Sequence, residues 1–490
     1  MRRAVSAVLI ACCVARISTG AASASPWAYR ALPATVWQCT AVSSGSAADF
    51  ARRVTATKAT ESLSGLAKAY HVKWHTARTS QGFMVAPRSL RRPNTTTIYT
   101  TILYNPVYKR RKPLSYRAYG SGIRQFRIDG HEVGGTAALR EEAIPTKSLN
   151  RGASRIVVVL DAAASSKFVM QVSDTGDLRA FRTAPACLLP QAHIDDYPTV
   201  TITNGLVTAK VAVPDVKRGF YRGNRFEQAG FIISLTSGGH TYFKSPDKVH
   251  DPVNDDRAAG PCEEFFNAIA YDDAKRGEPF IKIGVGLYEK PNMPKHLWAN
   301  PYWPVRVFPW ATRVSRNIVT FTQTVTGPRG WGYRYVKRIV LVPNRHEMVI
   351  EHAFRNTGSH QIDAAQYNHN WVSLDNIPTT AGYSCKLPFT PTITRNFPPD
   401  VAADGNSILI RSGGSNNFGV IGFSRSPSDT SAIISANGTA ARLLISGDYP
   451  LAGVDFFYEP DAFCYEPTVS FSLKPGQRYA WTRTYRFLAP

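Results

Sequence analysis

The chain has 490 residues, of which 43% are hydrophobic and 19% charged, so it can bury a substantial core and is not disordered over most of its length. Its formal net charge is +23, and an excess of this size biases encounters toward polyanions. The basic residues are spread along the chain, as on an ordinary solvated surface. We therefore expect no nucleic acid partner, although charge alone leaves a nucleic-acid binder or an envelope scaffold open.

The first 24 residues have the pattern of an export signal. Arg2 and Arg3 supply its positive end, residues 4–15 an apolar run, and residues 22–24 a small-residue cleavage site. Too little hydrophobic sequence precedes Cys12 for a lipoprotein signal, which favours simple cleavage. No later segment has the roughly 18 apolar residues of a membrane-spanning helix. We predict a periplasmic or secreted protein with no transmembrane segment.

The cysteines beyond the signal are odd in number and follow no C-x-x-C spacing. At most two disulfides can form among them, and zinc is not expected. We predict no metal and no cofactor. These cysteines are Cys39, Cys187, Cys262, Cys385 and Cys464.

The composition changes about two fifths of the way along the chain, near residue 195. Residues 47–70 have helical spacing and composition, while residues 95–104 and 155–160 have the pattern of strands. We predict a small α+β region over residues 25–195 whose role is not legible, ending in a Pro-containing linker near 185–198.

Residues 196–490 have the pattern of one large all-β domain. Short runs rich in Val, Ile, Thr, Phe and Tyr recur between turns, which is typical of an antiparallel sandwich. The predicted strands include 200–202, 206–213, 230–235, 280–287, 317–326, 333–342, 347–355 and 408–411.

Two blocks in this domain resemble the galactose mutarotase-like superfamily, the sugar-binding β-supersandwich proteins that include aldose 1-epimerases. One block is residues 219–230 with 238–243, and the other is 351–358 running on to 366–371. Residues 219–243 and 260–286 are also similar to a group of uncharacterised exported bacterial proteins within that superfamily. The resemblance implies a mainly β fold, a large antiparallel β-supersandwich, with a saccharide as ligand.

An aldose 1-epimerase opens a cyclic hemiacetal, so one group removes the proton of the C1 hydroxyl while another protonates the ring oxygen. A carboxylate and a histidine on opposite sides of the sugar meet this need. His369 resembles the catalytic acid, since it follows Asn368 at a predicted strand end. The epimerases continue with Tyr-Phe, whereas this chain has Asn370 and Trp371. A histidine that merely bonds across the sheet is the alternative.

Two glutamates resemble the catalytic base, each within a Tyr-Glu-Pro. Glu466 is favoured because residues 468–473 then form one strand leading into the final turn. Glu459 remains open, because the catalytic glutamate of the familiar epimerases lies further from that turn. Either glutamate could instead pair with a surface arginine.

Further residues resemble sugar contacts. Asn224 and Arg225 are similar to an Asn-Arg pair that holds sugar hydroxyls, and Arg222 could bind a carboxylate or sulfate. Either arginine could instead pair with a glutamate. His240, after paired glycines, is predicted to orient the substrate, with Asn368 a further contact.

Two further segments are predicted to lie on the ligand side of the domain. Residues 298–310, with Trp303, are predicted to form an exposed aromatic platform for sugar faces. Glu263 and Glu264 are predicted to lie in a substrate-side loop, with calcium as an alternative.

The predicted function is that of an exported, monomeric, aldose 1-epimerase-like isomerase. A non-catalytic binding protein for an acidic glycan is one alternative. A polysaccharide lyase or hydrolase is another, for which Tyr367 and Tyr465 are available.

Overall fold

The structure is a computed structural model. It describes residues 29–31, 37–57, 62–80, 83–85, 87–105, 115–121, 123–128, 131–134, 139–143, 152–161, 167–173, 179–181, 192–250, 252, 259–290, 293–297, 302–393, 401–410, 417–422 and 429–488. The predicted export signal and residues 185–191 of the predicted linker lie outside these residues.

The N-terminal region contains two helices, α1 over Ala47–Ala56 and α2 over Ser64–Ala69. The single helical stretch predicted over 47–70 is thus divided, because Thr57 takes an extended backbone that ends α1. Phe50 and Val54, four residues apart on α1, are buried in a core with residues of the neighbouring strands.

The strands of this region form two antiparallel sheets, in the orders β10-β7-β12-β5-β4, with β1 beside β12, and β3-β2-β6-β11-β8-β9, with β13 beside β6. The predicted strands 95–104 and 155–160 are β6 and β11, which pair along their length. The strands are β1 Tyr29–Ala31, β2 Gln38–Ser43, β3 His75–Thr76, β4 Arg78–Ser80, β5 Phe83–Val85, β6 Thr95–Asn105, β7 Ser115–Ser121, β8 Ile123–Ile128, β9 His131–Gly134, β10 Leu139–Ala143, β11 Gly152–Asp161, β12 Lys167–Ser173 and β13 Arg179–Phe181.

The remaining strands follow the predicted β pattern closely. One predicted strand, 280–287, is two strands, because the chain turns at Gly284 with φ of 76°. The strands are β14 Ala192–His193, β15 Thr199–Thr203, β16 Val207–Ala212, β17 Ile232–Ser237, β18 His240–Lys244, β19 Val249–His250, β20 Cys262–Phe265, β21 Ala268–Ile269, β22 Pro279–Lys282, β23 Gly286–Glu289, β24 Trp303–Val307, β25 Ala311–Val314, β26 Ile318–Thr326, β27 Gly332–Leu341, β28 Glu347–Asn356, β29 Ile362–His369, β30 Tyr383–Lys386, β31 Thr392–Ile393, β32 Val401–Asp404, β33 Ser407–Ile410, β34 Asn417–Gly422, β35 Ala432–Ala436, β36 Arg442–Gly447, β37 Gly453–Glu459, β38 Ala462–Leu473 and β39 Arg478–Leu488.

Two large antiparallel sheets pack face to face in this part of the chain. The front sheet has the order β20-β29-β38-β37-β34-β31, and the back sheet has the order β25-β26-β27-β28-β39-β36-β35-β30-β33-β32. Phe265 of the front sheet packs at 6.0 Å from Phe354 and 6.4 Å from Trp481 of the back sheet, measured between ring centroids. The prediction of a mainly β chain with a large antiparallel sandwich is confirmed.

Ionised side chains lie in the interior between the two sheets. Glu263 is fully buried there, where it contacts Lys337, His352 and Arg483. Glu264, the next residue, lies on the outer face of the front sheet because successive strand residues point to opposite faces. The predicted substrate-side loop is therefore wrong: both glutamates belong to a buried strand.

The predicted aromatic platform is also corrected. Tyr302, Phe308 and Trp310 are buried in two hydrophobic clusters, because the segment forms β24 and pairs with β23. Trp298 and the side chain of Trp303 lie outside the described residues.

Within the described ranges, no helix is long and apolar enough to cross a membrane. The cysteines in the same ranges are buried and form no disulfide; they are Cys39, Cys262, Cys385 and Cys464. Cys187 lies outside them.

Candidate functional site

His369 and Glu466 meet on the outer face of the front sheet. His369 ends β29 and Glu466 lies in β38, and the register of these strands places Tyr367 opposite Thr468. Two residues further along the same antiparallel register, His369 comes beside Glu466, and its Nδ1 contacts the Glu466 Oε1. Both side chains are only 3% exposed. Strand pairing alone thus brings together two candidates that are far apart in the chain.

The contact between imidazole and carboxylate defines the role that each can take. A carboxylate beside Nδ1 orients the ring and favours a proton on that nitrogen, which leaves Nε2 available for proton exchange. Neither His369 Nδ1 nor Glu466 Oε1 makes a hydrogen bond of normal geometry within the described residues. The pair is therefore a buried acid and base whose polar atoms are not fully satisfied.

Aromatic rings surround His369. Phe226 lies nearly parallel to the imidazole at 5.7 Å, while Trp371 and Phe457 approach at 4.9 and 5.1 Å. Trp371 has φ of 46°, in a region that bulky residues rarely adopt and that is often found at functional sites. Its Nε1 is buried and has no hydrogen-bond partner among the described residues.

Gly260 permits the close packing behind His369. A Cβ at this position would lie 2.5 Å from the His369 carbonyl oxygen and 2.8 Å from Trp371 Cδ1. Because no side chain fits in that space, glycine lets the chain before β20 lie against the backbone that follows β29.

Arg225 lies on the same face, held by a buried carboxylate. Its Nε donates to Glu264 Oε2 at 3.0 Å and its Nη2 donates to the Tyr367 hydroxyl at 2.9 Å. Tyr367 in turn donates to Glu264 at 2.7 Å, and Lys282 donates to the other oxygen at 3.1 Å. The Arg225 guanidinium also covers the Phe226 ring at 4.6 Å. This joins Arg225 to the wall around His369.

The pKa of Arg225 is raised well above its ordinary value. Burial opposes the charge, but Tyr367 and Glu264 outweigh it. Arg225 is therefore a permanent cation that these two side chains hold in place. The predicted contact with sugar hydroxyls remains a proposal for this residue.

Glu459 also faces outward. It ends β37 opposite Ala462, on the face that carries Glu466. Of the two glutamates that the sequence left open, the structure pairs Glu466 with the histidine.

Asn368 corrects the sequence analysis. Its side chain points into the sandwich interior, where its Nδ2 donates to Asn370 Oδ1 at 2.6 Å and to the Tyr485 hydroxyl at 2.7 Å. It is wholly buried. Neighbouring residues on a strand lie on opposite faces, so Asn368, directly before His369, cannot share the outer face with it.

The other predicted sugar contacts are dispersed. Asn224 and Arg222 are buried in the loop between β16 and β17, near Arg225. His240 begins β18 after two glycines of positive φ, as predicted, but its Nδ1 donates to Asp375 at 2.8 Å. It is half-buried there, and none of its described contacts is with the His369 pair.

Cys464 escaped the sequence analysis as a residue of this site. Cys464 is two residues before Glu466 on β38, so strand alternation alone could have placed both on one face. Its Sγ accepts the backbone N–H of Trp371 at 3.2 Å.

No family model and no curated protein matches the chain. Several solved structures are similar to it. A galactose mutarotase-like protein from Lactobacillus casei is 12% identical with a TM-score of 0.36, over 59% of this chain and 100% of that one. A galactose mutarotase related enzyme from Lactobacillus acidophilus is 12% identical with a TM-score of 0.37, over 59% and 97%. A GalM/aldose epimerase homologue from C. elegans is 15% identical with a TM-score of 0.35, over 60% and 99%.

These structures come from the superfamily that the sequence motifs resemble. Their identities and TM-scores are low, so the proposals below rest on the side chains of this chain.

Proposed function

We propose that the chain is an exported carbohydrate-active protein of aldose 1-epimerase type, in which Glu466 and His369 open a sugar hemiacetal. The observation that carries this proposal is the direct contact between the two side chains on the outer face of the front sheet. The C1 hydroxyl and the ring oxygen are both bonded to C1, so a base and an acid that lie close together can each reach one of them.

The proton transfers balance without a cofactor. The Glu466 carboxylate takes the proton of the C1 hydroxyl, the bond from C1 to the ring oxygen breaks, and the ring oxygen takes a proton from the His369 imidazolium. The open-chain aldehyde rotates about the bond from C1 to C2. Closure then returns the proton of the ring oxygen to His369 and the proton of Glu466 to the new C1 hydroxyl.

The surroundings fit this chemistry. Phe226, Trp371 and Phe457 exclude water from the pair, which strengthens its electrostatic interactions, and an aromatic face can pack on the apolar face of a sugar. Arg225 is the permanent cation nearby that would favour a sugar carrying acidic groups. We infer that the ligand is an aldose or an acidic glycan end.

The burial of the pair favours a second candidate, a non-catalytic glycan-binding protein. With both side chains only 3% exposed, a sugar reaches them only after the covering rings move aside. A binding protein needs no such access, since it can use the surface of the same domain.

The test is anomer exchange measured by magnetization-transfer NMR on a panel of neutral and acidic aldoses. His369→Asn and Glu466→Gln should each lower kcat/KM by about 100-fold or more, the usual contribution of a general acid or base. His360→Asn and Glu351→Gln alter residues of the same types at exposed positions and should leave the rate unchanged. The second candidate would be established if the parent protein accelerates anomer exchange of no sugar and the double variant lacking His369 and Glu466 binds a glycan as tightly as the parent does.

A further inference from the structure

Three donor atoms of different chemistry lie together on the outer face of the front sheet. One nitrogen of His369, the Cys464 Sγ and a carboxylate oxygen of Glu466 all lie within 4.8 Å of one another, and all three residues are buried. We propose that these side chains bind one thiophilic divalent cation, Zn²⁺ above all. Imidazole, thiolate and carboxylate are the three ligand types that zinc accepts in proteins.

The fold presents these donors on a rigid base. Cys464 and Glu466 are two residues apart on β38, so both project from one face, and His369 comes from the antiparallel neighbour β29. The spacing of the cysteines gave no sign of this site. Sequence motifs such as C-x-x-C detect only ligands that lie a few residues apart in the chain. Here two strands supply the ligands.

Unsatisfied polar atoms point to an occupant. His369 Nδ1 and Glu466 Oε1 are buried, and neither makes a normal hydrogen bond within the described residues. Buried polar atoms are nearly always satisfied, and a cation between these two would satisfy both. The atoms now touch, so rotation of the Glu466 side chain must first separate them.

One backbone contact suits a metal-bound thiolate at Cys464, where burial and the neighbouring Glu466 otherwise raise the pKa of the thiol. Its Sγ accepts the Trp371 backbone N–H at 3.2 Å, a bond that stabilises negative charge on sulfur. Arg225 and Lys282 both contact Glu264. Three protein ligands leave a fourth position of a tetrahedral ion for water or another small ligand.

This inference goes beyond the proposed function and does not depend on it. A cation that binds His369 Nδ1 and Glu466 Oε1 occupies the atoms that proton transfer would use. The site can therefore bind a cation or transfer protons, but not both at once. Zinc is expected to inhibit any anomer exchange. Binding is measured without reference to sugars, so failure of either proposal can be told from failure of the other.

The test uses the full chain, freed of metal with a chelator and titrated with Co²⁺. Intense visible bands of a tetrahedral ion and a thiolate-to-cobalt charge-transfer band should appear in one-to-one proportion, and Zn²⁺ should bleach both. Cys464→Ser should abolish the charge-transfer band, while Glu466→Gln should weaken Zn²⁺ binding at least about tenfold.

The matched control is Cys262→Ser. Cys262 is also buried beside His369, where its Sγ contacts the His369 carbonyl oxygen at 3.8 Å, but it is not one of the three ligands. This variant should keep the band. Absence of a thiolate band in the parent, or its loss only in Cys262→Ser, would overturn the proposal. At one fixed concentration, zinc should raise the Tm of the parent more than that of Glu466→Gln, which covers the case in which Cys464→Ser does not fold.

Discussion

Glu263 offers the sharpest test of the sandwich interior. Its side chain is fully buried, and its Oε1 accepts a hydrogen bond from His352 Nε2 at 2.8 Å. Arg483 contacts the same Oε1, while Lys337 contacts Oε2. Glu263→Gln keeps the shape of this side chain but removes its charge. Lys337 and Arg483 then remain buried with one anion fewer.

The expected cost follows from that imbalance. Removing one partner of a buried ion pair typically destabilises a protein by about 3 to 5 kcal/mol, because an uncompensated charge stays in a medium of low dielectric constant. Glu351 on β28 is the control, since it pairs with Arg338 while both side chains are about two fifths exposed. Glu351→Gln should cost about 1 kcal/mol or less.

Urea unfolding of the two variants and the parent measures both costs, provided that the m-values agree. The difference between the destabilisation by Glu263→Gln and that by Glu351→Gln should become smaller in acid. Burial raises the pKa of Glu263, but His352, Lys337 and Arg483 together hold it well below its usual range. A carboxylate with a depressed pKa contributes stability above its unfolded pKa of 4.5 and loses it as pH falls through the folded value. Equal costs for the two substitutions at neutral pH would refute the reasoning.

Burial lowers the pKa of His250 from 6.5 to about 4, so the folded protein should lose up to about 3 kcal/mol as pH falls through this range. Urea titrations should show a weaker acid dependence in His250→Gln, and an unchanged dependence would contradict the assignment. Burial raises the pKa of Glu227 from 4.5 to about 7, so its contribution is present below 4.5 and lost as pH rises to 7. Glu227→Gln should therefore gain stability relative to the parent over that rise, whereas a constant difference would argue against it. Gly260→Ala places a Cβ 2.5 Å from the His369 carbonyl oxygen and should cost about 1 to 3 kcal/mol with a lower Tm, while Gly65→Ala, in open space, should cost nothing.

The site residues show where reasoning from sequence succeeds and where it stops. His369 and Glu466 were selected because their surroundings resemble those of a known acid and base, and the structure brings them into contact. Asn368 was selected for its neighbour, yet it faces the interior, because a shift of one residue on a strand reverses the face. Motif resemblance identifies positions, whereas strand alternation decides which of them share a face.

Local composition by itself determined the alternation of strands and turns in this chain, its mainly β class, and the turn at the glycines before His240. These features depend on propensities and periodicities within a few residues of one another. Only the tertiary structure decided that Glu263 faces the interior while Glu264 holds Arg225, and that Cys464 joins His369 and Glu466. Such contacts depend on the register between strands distant in the chain, which no local pattern encodes.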